Sequence, residues 1–151
     1  MSYTTQEGRT QILDDAAAAA QRLGVALSEL GEAYEHLDDQ AADRMEEQVF
    51  RPLQGAYGHL KRTLTEFAAR VGLPSGEFPV AAMPAPENPR LALEHAADEI
   101  QAADDMLSEL QDSLLPVEVG DRELRTGLST TRTQIASLPA ACDELVRIVG
   151  R

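Results

Sequence analysis

The chain has 151 residues, 26 acidic side chains against 13 basic ones for a formal charge of −13, one cysteine, no tryptophan, three tyrosines and three phenylalanines. The length is that of one domain, and a lone cysteine can form neither an internal disulfide nor a Cys-based zinc cage. A charge of −13 without a basic run repels nucleic-acid phosphates and anionic lipid heads, so neither nucleic acid nor membrane is expected as a partner.

The first twenty residues carry Glu7, Arg9, Asp14 and Asp15, too many charges for a signal-peptide core. No uncharged apolar stretch approaches the roughly 18 to 20 residues that span a bilayer. A soluble, cytoplasmic protein is therefore expected. Arginine supplies every basic residue except Lys61, and alanine is abundant, as in proteins from GC-rich bacterial genomes.

Ile12, Ala16, Ala19, Leu23, Ala26, Leu30, Ala33 and Leu37 alternate steps of four and three, with Leu13, Ala20, Leu27 and Tyr34 widening the stripe. Three apolar positions per heptad suit a helix that touches two neighbours in a bundle. Helix 1 is placed at about residues 5–37. Asp39 is the expected N-cap of helix 2, at about 40–72, whose stripe is Met45, Val49, Leu53, Ala56, Leu60, Leu64, Phe67 and Val71. Gly72 and Pro74 stop it. Pro52 lies inside this stripe and predicts a kink, because it lacks an N–H and crowds the carbonyl four residues earlier. An alternative path carries helix 1 to Phe50 and starts helix 2 at Pro52.

Residues 73–88 hold Pro74, Gly76, Pro79, Pro84 and Pro86 among alanines, a composition that predicts an extended linker. Its Phe78, Val80 and Met83 are read as exposed residues that cover an apolar groove or a partner. Asn88 and Pro89 form an N-cap and first-turn pair for helix 3, at about 89–115, with the stripe Leu93, Ala96, Ile100, Ala103, Leu107, Leu110 and Leu114. Pro116 and Gly120 end it. Asp121 caps helix 4, at about 121–149, with the stripe Leu124, Leu128, Thr131, Ile135, Leu138, Cys142, Leu145 and Val149, a second kink at Pro139, and Gly150 closing the chain.

Helices of about 27 to 33 residues are roughly 40 to 50 Å long and can share one core. The expected architecture is an all-α, antiparallel, up-down-up-down four-helix bundle made of two long hairpins. A shift of 80 residues places Leu13, Ala16, Ala17, Gln21, Leu27, Ser28, Glu29 and Leu30 on Leu93, Ala96, Ala97, Gln101, Leu107, Ser108, Glu109 and Leu110, which suggests duplication of one hairpin.

Candidate chemistry is sparse. Metal-carboxylate bundles carry Glu-x-x-His pairs on facing helices, and the sequence has none. The three histidines are His36, His59 and His95. In the expected bundle only His59 and His95 come near one another, with Asp15 or Glu94 in reach, so His59, His95 and Asp15 are the sharpest candidate metal ligands. Gly58-His59-Leu60-Lys61-Arg62 resembles the phosphate-accepting stretch of the histidine phosphotransfer bundles. That resemblance implies an exposed, phosphorylatable His59, although Lys61 follows it by two positions rather than three and Arg62 stands where that family has glycine. Tyr34-x-x-x-Asp38 is similar to the tail of the export signal in small WXG-type secreted hairpins, without their Trp-x-Gly. Asp98, Asp105 and Asp112 recur every seven residues on the outer face of helix 3, a solvated side or a docking face for a basic partner. Cys142 and Thr131 occupy stripe positions and read as core.

The resulting expectation is a non-enzymatic scaffold or protein–protein interaction module, possessing no cofactor and joining a protein partner or a second copy. The alternative is a metal-binding or phosphotransfer bundle that depends on His59.

Overall fold

The computed structural model describes residues 5–75, 78 and 88–149. Among them every element is a helix and no strand occurs: α1 Thr5–Tyr34, α2 Asp39–Met45, a π turn Glu46–Phe50, α3 Arg51–Val71, α4 Pro89–Asp112, α5 Leu115–Val119, α6 Arg122–Ile135 and α7 Leu138–Val149. No described helix is long and apolar enough to cross a membrane.

Capping chemistry sets the boundaries. The chain breaks after Tyr34, not at Pro52, and the N-cap of α2 is Asp38, one residue before the expected Asp39. Asp38 is extended (φ −67°, ψ 164°), and its Oδ1 accepts from the Ala41 amide at 2.8 Å. Asn88 and Asp121 cap α4 and α6 as expected, accepting from the Arg90 and Leu124 amides. Gly72 closes α3 in the left-handed conformation.

Pro52 does not break its helix. The turn immediately before it widens into the π turn, which makes room for a ring that would otherwise collide with the carbonyl four residues earlier. Pro139 acts differently: the expected helix 4 is two helices, separated at Ala136 and Ser137, with Pro139 the second residue of α7. Helix 3 ends at Asp112, three residues early. Ser113 Oγ donates to the Leu110 carbonyl at 2.6 Å, Leu114 turns to φ +66°, and the short α5 follows, closed by Gly120 at φ +76°. Gly150, Val80 and Met83 lie outside the described residues. Phe78, read from the sequence as exposed, is half-buried against the core because it lies over α1 and α3.

The stripe residues of α1 from Ile12 to Ala33, of the α2–α3 segment from Met45 to Phe67, and of α4 from Leu93 to Leu110 are buried, as are those of α6 and α7 from Leu124 to Leu145. Leu37, Val71 and Val149 flank this core, and Leu114 is exposed because its residue belongs to the turn.

The most extensive packing joins α1 to α4; α4 also packs on α7, α3 on α6, and α1 on α3. Both helices of the first seam bury alanines, Ala16, Ala19, Ala20 and Ala26 on α1 and Ala92, Ala96, Ala97 and Ala103 on α4, and small side chains allow close axes. Cross-helix pairs fix the directions. Arg22 meets Glu99 and Glu29 meets His95, so α1 and α4 are antiparallel. Arg70 meets Asp121 while Thr63 meets Gly127, so α3 and α6 are antiparallel as well.

An up-down-up-down order would make the first and third long helices parallel, and this expectation does not hold. The large α1–α4 seam pairs the two Ala-rich helices, and α3 ends and α4 begins toward opposite ends of α1: Leu73 and Pro74 line a hollow with Thr10 and Leu13, whereas His95 faces Glu29. α4 alone, at 24 residues, is about 36 Å long, and the connecting residues 73–88 reach at most about 55 Å fully extended. The α1–α4 register also respects the 80-residue repeat. Glu29 faces His95, and Asp15 shares a hollow with Glu109; the shift turns 15 into 95 and 29 into 109, so the two pairs exchange as under a twofold axis.

Candidate functional site

The structure does not bring His59, His95 and Asp15 together. His59 lies on α3 and lines a hollow of about 460 Å³ against α6 with Thr63, Glu66, Arg70, Arg122 and Thr126. His95 lies on α4 and faces Glu29 of α1, its Nδ1 3.5 Å from Glu29 Oε2. Asp15 accepts from the Gln11 amide at 2.7 Å. It stands fourteen residues before Glu29 on α1, about 21 Å along the axis. His36 is exposed in the turn after α1. Among the described residues no group of three or more His, Cys, Asp or Glu is arranged to hold a metal ion.

The phosphotransfer resemblance implied an exposed histidine. Nε2 of His59 is instead buried and without a hydrogen-bond partner, and Lys61 points elsewhere, its Nζ 4.2 Å from the centroid of the Tyr57 ring. Asp38 of the Tyr34-x-x-x-Asp38 pair is engaged as the α2 cap. Cys142 is fully buried, and desolvation, reinforced by Asp143, pushes its thiol up to about 12, which keeps it protonated and unreactive. Thr131, also buried, donates to the Gly127 carbonyl at 2.9 Å.

Three features were not read from the sequence. Glu29 is buried in the α1–α4 seam, and its Oε2 has no hydrogen-bond partner. Desolvation raises its pKa, partly offset by His95 and reinforced by Glu99. Arg70 forms a two-pronged contact with Asp121, at 2.9 Å and 2.8 Å, and the guanidinium holds that carboxyl below its ordinary value. Arg132 similarly clamps Asp104, Nε to Oδ1 at 2.8 Å, and joins α6 to α4.

The third feature is the distribution of charge. α1 and α4 together hold twelve carboxylates and three guanidinium groups, a net −9. α3 and α6 hold seven cationic side chains and two carboxylates, a net +5. Because α1 packs on α4 and α3 on α6, these sums fall on two different helix pairs, which meet where Arg132 of α6 reaches Asp104 of α4. The cationic side draws its residues from two segments about fifty residues apart, which no run in the sequence reveals. Its outer surface at α6 is a shallow hollow lined by Arg122, Arg125, Thr126, Ser129, Thr130 and Thr133. Compared with family models, curated proteins and solved structures, the chain matches none.

Proposed function

We propose that this chain is a non-enzymatic interaction scaffold: a cytoplasmic bundle of four helical rods, counting the α2–α3 and α6–α7 segments as one rod each, that joins protein partners through its charged sides. The observation that carries this reading is the segregation of charge between the α1/α4 side and the α3/α6 side. Separate patches of unlike sign steer and orient a macromolecular partner. The twofold register of α1 and α4 supports reading the two hairpins as copies of one unit, a design that spends the apolar stripes on internal packing and leaves charged surface for contact. The overall charge of −13 favours protein over nucleic-acid or anionic-lipid partners.

The single lysine gives a clean test. Carbodiimide coupling joins carboxylates to lysine amines, and only Lys61 can supply an amine side chain from this protein. Coupling in extract of the source cell is expected to join Asp98, Asp105 or Asp112 to lysines of another chain, with the products lost in the triple Asn variant. Absence of any inter-chain product, or stoichiometric bound metal that a His59→Ala variant loses, overturns the reading.

A further inference from the structure

We propose that Glu29 of α1 and His95 of α4 form a proton-operated clasp between the two hairpins, which holds α1 against α4 while the pair carries a proton and slackens when the pair loses it. The device belongs to the fold and does not depend on which partner the scaffold joins.

The geometry is that of a buried acceptor with one titratable neighbour. Glu29 lies in the most extensive seam of the molecule, its side chain 8 % exposed, and its Oε2 has no hydrogen-bond partner. His95 Nδ1 stands 3.5 Å from that oxygen across the seam, while the imidazole side chain is 57 % exposed and so exchanges its proton with water. The other charge acting on Glu29 also comes from α4: Glu99, which Arg22 of α1 holds at 3.1 Å. Beside His95 on its own helix, Glu94 is engaged by Arg90 at 3.3 Å, and Glu99 lies one turn further on.

With one proton to share, the pair is neutral overall. A carboxylate then faces an imidazolium, or a carboxyl faces a neutral imidazole, and in either form a donor meets an acceptor across the seam. Loss of that proton to water leaves a carboxylate inside the seam with Glu99 repelling it. A buried charge stripped of its counter-charge disfavours the packed state. Packing of α1 on α4 is therefore favoured at low pH and weakened as pH rises through the titration of the pair. An imidazole ordinarily titrates near pH 6.5, which places the second part of that loss around neutrality. Burial pushes the Glu29 carboxyl up, with His95 offsetting part of the rise and Glu99 adding to it, in keeping with this direction.

Only one end of the seam is built this way. Under the twofold register Asp15 takes the place of His95 and Glu109 that of Glu29, and this second pair shares a hollow at the far end of the two helices. It contains no imidazole, and Glu109 is exposed where Glu29 is buried.

Urea unfolding of the intact protein from about pH 5.5 to about pH 8 is the test, because imidazoles titrate in that range. The midpoint for the unaltered protein is expected to fall across it. His95→Gln is expected to lie below the unaltered protein at the acid end, by up to about tenfold in folding equilibrium constant for a one-unit difference in proton affinity, and to coincide with it at the alkaline end. Glu29→Gln is expected to give a nearly flat profile that lies above both at the alkaline end. Glu109→Gln, the matched substitution at the other end of the seam, is expected to keep the slope of the unaltered protein. His36 and His59 are present throughout, so differences between profiles belong to the pair. The Cδ resonance of Glu29 is expected to shift in the imidazole range and to lose that step in His95→Gln. Parallel profiles for the unaltered protein and His95→Gln, a slope removed equally by Glu109→Gln, or a Glu29 resonance indifferent to His95 overturns the clasp.

Discussion

Gly127 of α6 lies directly against the side chain of Thr63 on α3, so close that a Cβ at position 127 would overlap the threonine's Cγ2, Oγ1 and Cβ. Thr63 is itself held, its hydroxyl donating to the His59 carbonyl at 2.9 Å. This contact sets the separation of the two helices that carry the cationic side.

Gly127→Ala is expected to destabilise the fold by about 1 to 3 kcal/mol through overpacking, although alanine is the better helix former by about 1 kcal/mol. Gly58→Ala on α3, where a Cβ meets nothing within 4 Å, should stabilise by about 0.5 to 1 kcal/mol. Urea denaturation of the two variants, with Thr63→Ala/Gly127→Ala as the relieving double variant, measures both effects. Equal effects of the two alanines would remove the close approach from the account.

Asp121 both caps α6 and binds Arg70, and its folded pKa lies below the ordinary value of 3.8. A lowered carboxyl contributes stability that is present above its unfolded pKa and lost as pH falls through the folded one. Asp121→Ala should therefore cost about 1 to 2 kcal/mol at pH 7, with the difference from the unaltered protein vanishing in acid. Melting temperatures across an acid titration test this.

Glu29 carries the opposite sign. Its raised folded pKa means that stability is lost as pH rises from the unfolded value of 4.5 through the folded one. Glu29→Gln keeps the shape and removes the buried charge, so it should raise neutral-pH stability by about 0.5 to 1 kcal/mol and flatten the dependence over that window. A variant that is less stable at neutral pH would show that the contact with His95 outweighs the burial of the charge.

Leu114, 58 % exposed at φ +66°, holds a backbone conformation that costs an L-residue about 1 to 2 kcal/mol. Leu114→Gly removes the clash while giving up little buried surface, and an increase of about 1 kcal/mol in unfolding free energy is expected. A decrease would mean that the exposed leucine is packed in solution.

The apolar stripes were legible because burial in helices follows a period that a list of residues displays, and Ile12 through Ala33 lie where that period puts them. Asn88 and Asp121 were equally plain, since an N-cap needs only a short acceptor before an apolar run. Asp38 and Asp39 are chemically the same, and only the turn after Tyr34 chose between them. Helix direction was not legible, because an amphipathic stripe is the same read up or down. The order depended on which stripes share a seam, which the Ala-rich α1 and α4 decided in three dimensions. The cationic side was hidden for a related reason: Arg62 and Arg70 stand far in sequence from Arg122 and Arg125, and helix pairing alone joins them. Neither Thr63 nor Gly127 carries a pattern that announces their contact.

The α1–α4 register has a kinetic meaning. Two unlinked hairpins with matching seams would have to find each other by diffusion, and dilution would part them. Residues 73–88 make that encounter intramolecular, replacing the protein's bulk concentration with a fixed local one set by tether length. Loss of the tether to a protease would restore dependence on dilution without touching a single residue of the core.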